Sequence, residues 1–124
     1  TDRVHALGVD STGRIIVAGY TGADTGTTRP SVDLIAVAID SQGNLDTGFA
    51  SSGIFRIDNP GGFSTSTDGA LDWAFDMLIA PDESIYIAGQ SYGWGSDPVV
   101  IKLTSAGALD TSYGIRQISI WDTT

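Results

Sequence analysis

Apolar residues occur along the chain in short runs rich in Val, Ile and aromatics, separated by Gly, Asp, Asn, Ser and Pro. That is the pattern of strands joined by tight turns, and no stretch carries a helical period. Strands are predicted at about Val4 to Val9, Arg14 to Tyr20, Leu34 to Ile39 and Gly53 to Ile57. A second set is predicted at about Ala74 to Ile79, Ser84 to Gln90, Val99 to Leu103 and Ile115 to Ile120. The inner runs Ile15-Ile16-Val17-Ala18 and Val99-Val100-Ile101 do not alternate with polar residues, so both faces of those strands should be covered.

The two sets are copies of one unit. Ile15-Ile16-Val17-Ala18-Gly19-Tyr20-Thr21 matches Ile85-Tyr86-Ile87-Ala88-Gly89-Gln90-Ser91, a displacement of 70 positions (15 to 85), and the match reaches back to Asp2 over Asp72. Gly43-Asn44-Leu45-Asp46-Thr47-Gly48-Phe49 matches Gly107-Ala108-Leu109-Asp110-Thr111-Ser112-Tyr113 at a displacement of 64 (43 to 107). The lost length comes out of the connection after the second strand, which repeat proteins tolerate because loop closure entropy grows slowly with length. Ala18-Gly19 and Ala88-Gly89 put small residues at one point of that strand in both copies, where they permit close approach or mark a bulge.

Asp10-Ser11-Thr12-Gly13-Arg14-Ile15-Ile16-Val17-Ala18-Gly19-Tyr20 resembles a D-x-x-G-K-I-V-V-A-G-Y hairpin, and Gly43 to Phe49 and Gly107 to Gly114 resemble a G-x-L-D-T-S-F-G segment. Both belong to the delta-60 repeat of bacterial β-propeller-like proteins, and the resemblance covers nearly the whole chain as two consecutive repeats. Gly48 departs from that pattern in place of Ser, Ala50 in place of Gly, and Pro81-Asp82-Glu83-Ser84 lacks the glycine of its turn. The resemblance implies a bladed bacterial protein, extracellular or at the cell surface, and supplies no agreed activity and no catalytic residue. The expected architecture is all-β: two four-stranded antiparallel blade-like repeats, residues 1–62 and 63–124, forming part of a β-propeller. Closed propellers have about four to eight blades, so completion would require further repeats or oligomerisation.

Fifteen acidic residues against six basic ones give a net charge of −9, which repels phosphate backbones and anionic headgroups. Nucleic acid is therefore not an expected partner. No window is long and apolar enough for a membrane-spanning helix, so membrane insertion is not expected either. Without cysteine there is neither disulfide nor thiolate chemistry. The chain opens on Thr1 with no basic, apolar leader and is expected to be processed or excised from something longer. Expected partners are other blades or copies of the same chain, with glycans as the alternative.

Candidate chemistry is sparse. Trp94 lies between glycines, next to Tyr92, in the shortened connection, and with Tyr20 it forms the candidate ligand-binding set, since flat rings stack on sugars at small entropic cost. Trp73 and Trp121 read as packing residues. Asp40, Asn44 and Asp46 place oxygen ligands around Gly43 loosely as a calcium loop does. Copy two keeps only Asp110 of the carboxylates, which favours a turn capped by Asp46 and Asp110 over an ion. No cofactor is expected beyond that weak calcium candidate. His5, the only histidine, aligns with Phe75 and reads as structural on an apolar side. The carboxylate pairs Asp72 with Asp76 and Asp82 with Glu83 are no more than an acidic chain supplies by chance, and no catalytic constellation is assigned. The leading expectation is a non-enzymatic scaffold or interaction module. A lectin-like propeller is the alternative, and a glycan-active enzyme fragment the third reading.

Overall fold

The computed structural model describes residues 2–23, 31–58, 71–92 and 96–117. Its strands are β1 (Asp2–Val9), β2 (Ile15–Ala23), β3 (Ser31–Ile39), β4 (Ile54–Ile57), β5 (Leu71–Ile79), β6 (Ile85–Tyr92), β7 (Ser96–Leu103) and β8 (Ile115–Gln117). Strands β1 to β4 pair in order as one antiparallel blade, and β5 to β8 as a second. One parallel pairing, Val32 with Leu71, joins the start of β3 to the start of β5 and ties the blades into one hydrogen-bonded system. The described residues form two propeller-like blades and no closed ring. The expected junction at 62 and 63 lies outside them, as does Ile118 to Ile120 of the last predicted strand.

Each first hairpin closes through the same turn. In blade 1 the amide of Asp10 donates to the Arg14 carbonyl at 3.0 Å, and Gly13 takes a left-handed φ of 82°. In blade 2 Ala80 donates to Ser84 at 2.8 Å, and Glu83 occupies the glycine's place at φ 65°. The turn geometry thus survives the missing glycine, with a side chain held in a region that disfavours it.

Both first strands carry a bulge at one position, between Val4 and Ala6 and between Ala74 and Asp76. The paired glycines explain themselves there. A Cβ on Gly19 would run into the carbonyl oxygen of Arg3, and one on Gly89 into that of Trp73. The bulge carries the first strand over its neighbour so closely that only glycine fits.

The blades stack face to face. The covered side of blade 1 presents Ala6, Gly8, Ile16, Ala18, Ala36 and Ala38, mostly small. Against it blade 2 buries Ile85, Ile87, Val99, Ile101 and Leu103, with Met77 and Ile79 packed alongside. A Cβ on Gly8 would meet Ile79 at 3.0 Å and Met77 at 3.1 Å, so small residues on one blade set how closely the large ones of the next approach.

A second length change sits between the copies. Gly53 answers Gly114 at a displacement of only 61 (53 to 114), because Ala50-Ser51-Ser52 has no counterpart in blade 2. Ala50 (φ 45°) and Ser52 (φ 55°) turn the blade 1 chain back, with Ser51 and Ile54 bridged, whereas Gly114 (φ 70°) does the work alone in blade 2.

Candidate functional site

Two clusters straddle the blade junction, one toward each end of the strands. At the bulges, His5 stacks on Tyr20 with centroids 5.6 Å apart and planes at 28°. Phe75 meets His5 edge-on at 6.0 Å, and Trp73 meets Tyr20 edge-on at 6.5 Å. The bulges bring these rings together: His5 and Phe75 are the displaced residues of their strands, and both are exposed. His5 is therefore not on a buried apolar side, because the bulge turns it outward. Tyr20 and Trp73 are half-buried beneath. The result is an aromatic platform drawn from both blades, able to stack on a flat apolar surface.

At the opposite end Arg14 makes a clamp. Its Nε donates to Asp10 at 2.8 Å and its Nη1 to Asp46 at 3.2 Å, while Nη2 crosses to the blade 2 carbonyl of Ser105 at 2.6 Å. The guanidinium lies 5.4 Å over the ring of Phe49, which is fully buried. Ala50 adds a backbone bond to the Ala106 carbonyl at 2.7 Å. An open cleft of about 410 Å³ lies alongside, lined among others by Asp10, Arg14, Asp46, Glu83 and Ser105. Burial works against the Asp10 charge, but the Thr12 hydroxyl, the amides of Arg14 and Thr12 and the Arg14 guanidinium outweigh it and hold its carboxyl below the ordinary value. All three nitrogens of the guanidinium are engaged, two with carboxylates of blade 1 and Nη2 across the junction to blade 2, so Arg14 ties the turn of its own blade to its neighbour.

Blade 2 solves the equivalent problem differently. Ser84 stands where blade 1 has Arg14, and Lys102 stands where it has Ala38. Lys102 reaches Asp110, the counterpart of Asp46, at 3.0 Å and lies 5.6 Å over the Tyr86 ring. Asp110 is held well below the usual carboxylate range, first by the Ser112 hydroxyl and then by Lys102. Tyr113, the counterpart of Phe49, is half-buried and meets Tyr86 edge-on at 5.7 Å, with Arg116 5.4 Å over its ring.

Asp40, Asn44 and Asp46 are taken up by turns. Asp40 Oδ1 accepts the amides of Gln42 (2.9 Å) and Asn44 (2.8 Å), and Asp40 Oδ2 accepts the Asn44 side chain at 3.3 Å. Asp46 Oδ1 accepts the Gly48 amide at 3.0 Å while Oδ2 faces Arg14. Asp110 caps Ser112 in the same way at 3.0 Å. A carboxylate already facing a guanidinium is a poor calcium ligand. Among the described residues no group of three or more His, Asp or Glu is arranged to hold a metal ion.

Of the candidate ligand set, Tyr20 joins the aromatic platform, Trp94 lies outside the described residues, and only the backbone of Tyr92 is described. Trp121 also lies outside them. The roles of His5, Phe75 and Trp73 in the platform went unread because the bulge signalled by Gly19 and Gly89 lies on the strand paired with theirs, at residues of unlike chemistry. The Arg14 clamp was missed because its counterpart cation comes from another strand.

Residues 80–113 match a family model described as a domain of unknown function (DUF5122) beta-propeller. The matched stretch runs from the β5–β6 turn to Tyr113, across the two middle strands of blade 2. No curated protein matches the chain. Fold and family model agree on blades of β-propeller type.

Proposed function

We propose that the chain is a non-enzymatic scaffold and interaction segment of a bacterial bladed protein of the delta-60 repeat type, working outside the cell or at its surface. Its partners are further blades, from the same chain or from other copies. One observation carries this reading. The free face of blade 1 presents Leu7, Val9, Ile15, Val17, Ile35, Val37, Ile39 and Ile54 in the positions where blade 2 presents Met77, Ile79, Ile85, Ile87, Val99, Ile101, Leu103 and Ile115. In blade 2 the central five are 0–1% exposed, whereas their blade 1 counterparts Ile15, Val17, Ile35, Val37 and Ile39 are only half-buried; Leu7 (61%) and Val9 (58%) are exposed where Met77 and Ile79 are half-buried. A contiguous apolar face of this kind marks an interaction surface. The test is the fluorescence of a hydrophobic-surface dye added to the 124-residue chain. Enhancement, or self-association that suppresses it, supports the reading; a dye-silent monomer contradicts it.

A carbohydrate-binding role is favoured by a separate observation, the exposed rings of His5 and Phe75 over Tyr20 and Trp73. Glycan-array binding that disappears in Phe75→Ala would support it, and unchanged binding in that variant would remove these rings from the account.

A further inference from the structure

The stacking of blade 2 on blade 1 is a complete example of how one blade receives the next, and it allows each free face to be compared with its occupied counterpart. On the receiving side of blade 1 the key residues are small: Ala6, Gly8, Ala18, Ala36 and Ala38. The same positions on the free face of blade 2 are Asp76, Leu78, Ala88, Val100 and Lys102, with Tyr86 at the place of Ile16 and Arg116 at that of Phe55. A blade approaching as blade 2 approaches blade 1 would drive its large side chains into Leu78, where Gly8 already leaves only 3.0 Å for a Cβ. It would also cover Asp76 and Arg116, both exposed, without supplying either an opposite charge.

The free face of blade 1 has the opposite character. Each of its positions matches an apolar residue that blade 2 buries or packs against the core. Gly43 stands where blade 2 has Gly107, the seat of the Phe49 ring, and a Cβ on Gly43 would meet nothing within 4 Å. The Ser41 carbonyl stands where Ser105 receives Arg14. The elements that seat a neighbour are present, and no described residue fills them.

We propose that blade addition is one-sided. The free face of blade 1 takes a preceding blade that carries small side chains at the positions of Ala6, Gly8, Ala18, Ala36 and Ala38 and an aromatic knob like Phe49, while the bulkier free face of blade 2, which carries Asp76, Lys102 and Arg116, does not take a blade faced like blade 2. This inference rests on the scaffold reading and adds its direction and the character of the partner blade.

The cysteine-free chain permits a direct test by thiol labelling. Two three-blade chains are made, one with residues 1–62 repeated ahead of the whole chain and one with residues 63–124 repeated after it. In the first, Leu7→Cys in the original blade 1 is expected to label at least about tenfold more slowly than in the 124-residue chain, as a residue buried between blades does. In the second, Leu78→Cys in the original blade 2 is expected to label as fast as in the 124-residue chain. Equal protection of both cysteines, or none of Leu7→Cys, overturns the proposal. If an extended chain fails to fold, the 124-residue chain gives the answer by dye binding. Leu7→Asp with Val17→Asp should reduce the fluorescence severalfold and Leu78→Asp should leave it unchanged. The reverse order overturns the one-sided assignment while leaving the scaffold reading standing.

Discussion

The ring of Phe49 in blade 1 lies against the backbone of Gly107 in blade 2, so closely that a Cβ on Gly107 would come within 2.7 Å of the ring carbons. The aromatic side chain and the glycine belong to different repeats. Their contact, with Arg14 above the ring, joins two local hairpins into one core.

Phe49→Ala should destabilise the chain by about 3–5 kcal/mol, the usual cost of removing a buried Phe, whereas Tyr113→Ala, at a half-buried ring, should cost less. Urea denaturation followed by far-UV circular dichroism checks the difference. Equal losses would mean that the knob is not inserted between blades.

Gly19→Ala and Gly89→Ala should each prevent the bulged strand from seating and cost more than Gly43→Ala. Gly43 has open space around it and only a φ of 89° to satisfy, so alanine there should cost about 1–2 kcal/mol. Thermal midpoints of the three variants test that ordering.

Stability should fall in acid. Asp10 has a folded-state pKa below its ordinary 3.8, so its contribution is fully present above that value and is lost as pH falls through the lower, folded one. Asp40, Asp82 and Asp110 share the sign. Lys102, raised above 10.5, acts oppositely, and its contribution disappears only as pH rises beyond that value. Melting curves between pH 2 and pH 6 should show Asp10→Asn less acid-sensitive than the parent, and parallel curves would contradict the Asp10 account.

Glu83→Gly and Ala50→Gly should stabilise, since each side chain is held at positive φ, 65° and 45°, where an L-residue costs about 1–2 kcal/mol more than glycine. Part of that gain is offset by the greater freedom of glycine in the unfolded chain. A lower urea midpoint in both variants would show that these turns are not strained.

Much of the fold was legible in the chain. The hairpin written at residues 15–21 and 85–91 fixed the strands because Val and Ile runs bounded by short polar turns have few other uses. A bulge was one reading of Ala18-Gly19 and Ala88-Gly89, but its place on the partner strand was not legible, because His5 and Phe75 share no chemistry that marks an extra residue. Gly19 and Gly89 were seen as small, yet the carbonyl that excludes a side chain lies on the neighbouring strand. The Ala50-Ser51-Ser52 insertion was hidden by the well-matched Leu-Asp-Thr segments before it. The Arg14 clamp and its Lys102 substitute could not be paired by alignment, since the two cations reach equivalent aspartates from different strands. The contrast between the two free faces needed the register of all eight strands, which decides which of two adjacent residues looks outward.

The most direct measurement is the native mass of the 124-residue chain by light scattering across a range of concentrations. The account predicts association that grows with concentration and is relieved by Leu7→Asp with Val17→Asp, because the apolar face of blade 1 seeks a cover. A single-chain mass at every concentration, with no dye bound, would contradict it.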